Sequence, residues 1–249
     1  MSQIFLFPKR VTGSRRCVDD EGFRPTMWNV GTNNICFATW WWVMDHPATM
    51  QSIWQTYTTV GARVGWGLRH LTNGTLGIQY GLGGETSGDL PIKTSVGTLT
   101  TRVWNFIVIN LVRSANATIW INDMADASPF ATLDISDADG VNWNNTSGSY
   151  PWRLRAATYA RDSRISRVGH IAGSVFSEAE RIELYNAGRG LKFAQLSGGL
   201  TTKFSGQDYF DCTERSGNML NQATVARPAL SYKGTSANEA VGFWGPPRR

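Results

Sequence analysis

Trp143 lies in the run Asn142-Trp143-Asn144-Asn145, and Tyr150 and Trp152 follow closely. Sugars stack their apolar faces on indole and phenol rings, while amides bond their hydroxyls. Trp143, Asn144, Tyr150 and Trp152 are therefore the candidate carbohydrate-binding set. The competing reading is core packing, which suits Trp152 best because it falls on an alternating segment. Just upstream, Asp137-Ala138-Asp139-Gly140 resembles the middle of an oxygen-rich calcium loop, which makes Asp137 and Asp139 candidate calcium ligands. An EF-hand would start at Ile135 and close at Thr146, and neither residue suits that role. An Asx-rich turn accounts for the same four residues.

Catalytic chemistry has less to work with. Glu178, Glu180 and Glu183 fall on one predicted helix, where Ser177 and Glu180 form a capping box and the others face solvent. His46, His70 and His170 are scattered, with no serine or cysteine partner in a recognisable motif. HExxH, P-loop and GxSxG patterns are all missing. Cys17, Cys36 and Cys212 are odd in number and share no metal spacing, so they read as free thiols of a reducing compartment. No catalytic residue is assigned, and calcium is the one cofactor considered.

The elements that must position these residues are strands. The chain has 249 residues, with 26 Gly, 11 Trp and 12% aromatics, but only 17% charged residues. That balance excludes a disordered chain and a coiled coil. No apolar run reaches the length of a membrane span. The opening residues put their cations after a short apolar piece, the reverse of a secretory signal. Residues 35–44 form a strong strand run in which Trp40 and Trp42 share one face and Trp41 takes the other. Further strands are predicted over 51–60, 63–70, 75–81, 102–112, 117–123, 130–135, 150–157 and 164–173. Asn73-Gly74 marks one hairpin. Residues 82–95 read as a Gly-rich loop, and 102–112 as the central strand. A single helix follows at 177–187, capped by Ser177, with Ile182 and Tyr185 as its apolar stripe and Gly188 at its end. Regular short strands of this kind build an all-β, two-sheet sandwich.

In this order, the elements resemble the concanavalin-A-like jelly rolls of the laminin-G-like group. Phe37, Trp40 and Met44 match that family's early F…W…M strand. Gly65-Trp66-Gly67-Leu68 with Gly74 and Ile78 is similar to its GW.L…G hairpin. Trp104 to Val108 followed by Ala117 to Asn122 resembles its paired central strands, although the family's His pair is absent and Asn122-Asp123 replaces its Asp-Gly turn. The stretch from Arg164 to Asn186 matches the strand-to-helix ending most specifically. Phe204 and Asp211-Cys212-Thr213 resemble a strand usually found at the start of such domains. The resemblance implies an N-terminal arm at 1–30, a sandwich at 31–210 and a C-terminal extension at 211–249. Its glucanase members place their acids in alternation on one strand, a pattern not seen here, so the chain reads as no enzyme.

Net charge is +5, and basic residues cluster at both ends: Lys9, Arg10, Arg15 and Arg16, then Arg248 and Arg249 beside Trp244. Elsewhere the charge is spread, which argues against nucleic acid. The ends read as assembly arms. With the resemblance, they imply a structural protein of a virus particle: a bacteriophage capsid decoration or head-fibre subunit, made in the host cytoplasm and located in the virion. Its partners would be a major capsid protein and further copies of itself. The alternative is a lectin-like module of a tail fibre or cellular protein that binds a host surface glycan with calcium. Neither reading involves a membrane.

Overall fold

The computed structural model describes residues 15–16, 30–56, 63–83, 91–144, 153–156, 163–211 and 222–223, with backbone alone at 15–16, 153–156 and 163–164. Twelve strands appear among them. They are β1 (Arg15–Arg16), β2 (Ile35–Val43), β3 (Gln51–Gln55), β4 (Val64–His70), β5 (Thr75–Leu82) and β6 (Ile92–Thr98). The second half contributes β7 (Trp104–Leu111), β8 (Asn116–Ile121), β9 (Ala131–Asp134), β10 (Arg153–Ala156), β11 (Ser163–Ala172) and β12 (Asp208–Phe210). One sheet runs β1-β10-β3-β4-β5-β6 and the other β12-β11-β2-β7-β8-β9. Every pairing is antiparallel. The chain is a two-sheet jelly-roll sandwich, as its strand pattern predicts.

Between the sheets, Phe37, Trp41, Ile107 and Ile109 meet Trp54, Trp66, Leu68 and Ile78, all fully buried. The Phe37 ring lies 4.7 Å from Trp54 and 5.8 Å from Trp66. Alternation then sends Trp40 to the other face of β2, where it joins Ala38, Phe106, Val108 and Trp120 in a second core. A helical layer covers that core. Helix α1 (Glu178–Tyr185) and helix α2 (Gly198–Phe204) bring Leu184, Leu200 and Phe204 down onto the sheet, beside Phe176 and Tyr209. The second sheet is therefore apolar on both faces, which is why β2 and β7 read as nearly continuous hydrophobic runs.

The capping box forms as expected: Ser177 accepts from the Glu180 amide, and Glu180 accepts from the Ser177 amide at 2.7 Å. Of the predicted stripe, Tyr185 packs against the second core and Ile182 does not. Ile182 is 51% exposed, and the buried face is Arg181 with Leu184. The helix also stops earlier, at Asn186, which takes the left-handed conformation that ends a helix. A single helix was expected, and α2 is a second. Its Gly-Gly start hides it in the sequence, yet Ser197 caps it. The last part of the expected Gly-rich loop, residues 92–95, belongs to the edge strand β6. β12 pairs with β11, so residues just past the helices complete the second sheet.

Candidate functional site

The loop at 135–144 is built around a buried arginine. Arg113, 1% exposed, lays its guanidinium 3.4 Å over the Trp143 ring. It donates to the carbonyls of Ala138 at 2.8 Å, Gly31 at 3.3 Å and Val141. Burial pulls its pKa down to about 10, still protonated at neutral pH. Trp143 is 1% exposed, donates its indole N–H to Gly81 at 2.8 Å and has a face taken by Arg113. It is a core residue, and the expectation that it stacks on a sugar is corrected: no ring face remains for a ligand. Asn144 serves the same loop by accepting from the Gly31 amide at 2.7 Å. Tyr150 and Trp152 lie outside the described residues.

Asp137 and Asp139 turn to different partners. Asp137 accepts from the Tyr80 hydroxyl at 2.7 Å and sits 4.0 Å from the Lys93 ammonium; Asp139 accepts from the Gly140 amide. A calcium loop also spends backbone carbonyls on its ion. Here the carbonyls of Ala138 and Val141 are spent on Arg113, so a guanidinium gathers this loop. Among the described residues no three His, Cys, Asp or Glu side chains assemble around a common centre. Lys9, Arg10, Trp244, Arg248 and Arg249 lie outside the described residues. Arg15 and Arg16 form β1, the edge strand beside β10.

The glutamates of α1 tie the helical layer together. Glu178 accepts from the Asp126 amide, Glu183 from the amide and hydroxyl of Ser197, and Glu180 from Lys203 at 2.6 Å. Arg181 repeats the arrangement of Arg113. It lies 3.7 Å over the Trp120 ring and donates to the carbonyls of Met124 and Phe176 and to Asp126.

The most suitable ligand surface lies elsewhere, on the outer face of the second sheet. The register sets Trp40 against Phe106, and one row further Trp42 against Trp104. Tyr185 stacks on Trp40 and on Phe106 at 5.8 Å each, and Trp104 packs against the same core. Trp42 and Trp104 are half-buried at the end of this aromatic row. On β11, Arg164 occupies the position opposite Trp42, which makes the row Arg164, Trp42, Trp104 across three neighbouring strands. Two partly exposed indoles side by side can stack on the apolar face of a sugar ring or of an aromatic side chain. The alternation of Trp40, Trp41 and Trp42 already signals the face; the pairing of Trp42 with Trp104, 62 positions on, needs the register.

A separate polar pair lies where the segment after β2 meets the end of β4. His46 Nδ1 lies 3.3 Å from His70 Nε2, with the rings perpendicular. His70 is fully buried and His46 exposed. Burial, then the neighbouring His46, push His70 down to about 4.

No protein-family model matches this chain. No curated protein matches it in sequence. Among solved structures, a candidate carbohydrate-binding protein of Bacteroides ovatus is similar to it, with a TM-score of 0.53 and 14% identity over 91% of this chain and 59% of that one. The binding domain of botulinum neurotoxin serotype G gives a TM-score of 0.47 and 14% identity over 72% of this chain and 40% of that one. The chain thus spans about six tenths of the first and four tenths of the second. At this identity the Bacteroides likeness shows the fold.

Proposed function

We propose that this chain is a recognition module that binds a glycan on the outer face of its second sheet. The observation that carries the reading is the half-buried cross-strand pair Trp42 and Trp104, which continues the aromatic row of Trp40 and Phe106 on the same face. Two partly exposed indoles set side by side offer a flat apolar surface on which a sugar ring can stack. The Bacteroides ovatus protein, described as binding carbohydrate, lends support through its fold alone. The particle-subunit reading depended on arms at 1–30 and 211–249, almost all outside the described residues, and no feature of the sandwich favours it.

The test is binding of the purified chain to a broad glycan panel, repeated with Trp104→Ala. Dose-dependent binding that the substitution reduces at least tenfold, with a melting temperature within a few degrees of the parent, supports the site. Binding that survives the substitution unchanged places the ligand elsewhere. Silence across the panel, with soluble peptides bound instead, would make the module a protein receptor.

A further inference from the structure

The geometry points to a two-histidine site for a transition-metal ion between His46 and His70, at the end of the sandwich away from the Arg113 loop. We propose that Nδ1 of His46 and Nε2 of His70 coordinate one divalent ion of the zinc, copper or nickel class. Three observations converge. First, the two nitrogens lie 3.3 Å apart on perpendicular rings. Two imidazoles bound to one zinc at about 2.0–2.1 Å in a tetrahedral arrangement hold their nitrogens roughly 3.3–3.4 Å apart. A direct hydrogen bond between the rings would favour a separation nearer about 2.9–3.0 Å.

Second, His70 has no other use for its polarity. It is fully buried, and its Nδ1 has no hydrogen-bond partner. Among the described residues its hydrogen-bond partner is His46, through Nε2. A core imidazole kept for packing is ordinarily satisfied, because an unpaired buried polar atom costs about 1–3 kcal/mol. Third, His46 is held as well as exposed. Gly74, at φ +84° in the β4–β5 turn, backs onto its ring so closely that a Cβ there would lie 2.5 Å from Cε1. The turn is fixed in turn by the Leu99 amide donating to the Gly74 carbonyl at 2.9 Å. His46 thus closes the site from the solvent side, which supplies the route of entry.

Imidazole ligands select zinc, copper and nickel over calcium and magnesium, which take oxygens. With two protein ligands, the remaining coordination positions belong to water or to an oxygen donor that a bound molecule brings. The site lies apart from the Asp137–Asp139 loop and shares no residue with it.

The experiment is calorimetric titration of the chelator-treated full chain with ZnCl2, with CaCl2 as control, and the visible d–d absorption of Co2+ as a second readout. The expected result is one saturable zinc equivalent, no calcium binding, and cobalt bands of tetrahedral intensity. Both signals should vanish in His46→Ala and in His46→Gln, each checked for fold by its melting temperature. Unchanged stoichiometry in either folded variant, or no saturable zinc binding to the parent, overturns the proposal and leaves the pair as a hydrogen bond.

Discussion

Replacing Arg113 by Met keeps the side chain's stem and removes its guanidinium, so it isolates what that group does for the 135–144 loop. Three carbonyls lose a charge-assisted donor. Gly31 still accepts from the Trp143 amide, and Ala138 from the Val141 amide at 3.3 Å, while Val141 has no other donor among the described residues. One orphaned buried carbonyl costs about 1–3 kcal/mol, and each of the other two loses roughly 1 kcal/mol. The stacking of the cation on Trp143 adds about 2 kcal/mol. The guanidinium's own desolvation, which the substitution relieves, offsets part of this sum. The net loss should be about 3–4 kcal/mol, a large fraction of a typical domain's stability. In a chain of this size that lowers the melting temperature by roughly 10 °C. Urea unfolding followed by near-ultraviolet circular dichroism, which reports the tryptophans, measures it. Arg113→Lys should fall nearly as far, because an ammonium has no planar fork to reach three carbonyls and stack at once. A loss below about 1 kcal/mol in the Met variant would refute the reasoning and show that water replaces the guanidinium.

Two further outcomes follow from the other end of the sandwich. His70 in the unfolded chain titrates near the ordinary histidine value of 6.5, and in the folded chain burial and then His46 push it down to about 4. The unfolded state therefore binds the proton first as pH falls. The stability from keeping His70 neutral is fully present above pH 6.5 and is lost on descending to about 4, by about 3 kcal/mol in metal-free protein. Urea midpoints across that window should show the slope, and His70→Gln should flatten it; an equal slope in both assigns it to other groups. Gly74→Ala places a Cβ against the His46 ring at a positive φ. It should cost about 1–3 kcal/mol, read as a shifted urea midpoint, and an unchanged midpoint would show that the turn gives way freely.

The fold was legible because strand alternation survives in the residues themselves. Trp41 had to face one way and Trp40 with Trp42 the other, and the structure buries Trp41 between the sheets and Trp40 under the helices. The Asn73-Gly74 turn and the Ser177–Glu180 box are local devices, so they too could be read directly. What failed was long-range. Trp143 looked like a loop aromatic among asparagines, and only Arg113, 30 positions away, makes it core. The helix stripe at Ile182 was misread because burial of Arg181 is unexpected for a charged side chain until Trp120 and the Met124 carbonyl are in place. β6 escaped because an edge strand with one buried residue in seven carries no periodic signal. The candidate platform at Trp42 and Trp104 was half visible: the face followed from alternation, whereas the partner followed from register.

The two arginine-on-tryptophan contacts also explain how a sandwich with few charged residues orders its connecting segments. Arg113 gathers Gly31, Ala138 and Val141, and Arg181 gathers Met124, Phe176 and Asp126. In both, the partners are mainly backbone carbonyls, the groups that loops leave unpaired and that a calcium ion would otherwise collect. A guanidinium serves this purpose without a free ion, and its flat face is covered by indole rather than by water. Both loops are thus tied down by groups that the chain itself supplies. The site proposed between His46 and His70 is of the opposite kind: no buried cation is built into it, its two nitrogens lie 3.3 Å apart, and one of the two residues is exposed. A chelator should therefore leave the Arg113 and Arg181 loops, and the aromatic row ending at Trp42 and Trp104, as they are, and act only at the histidine pair.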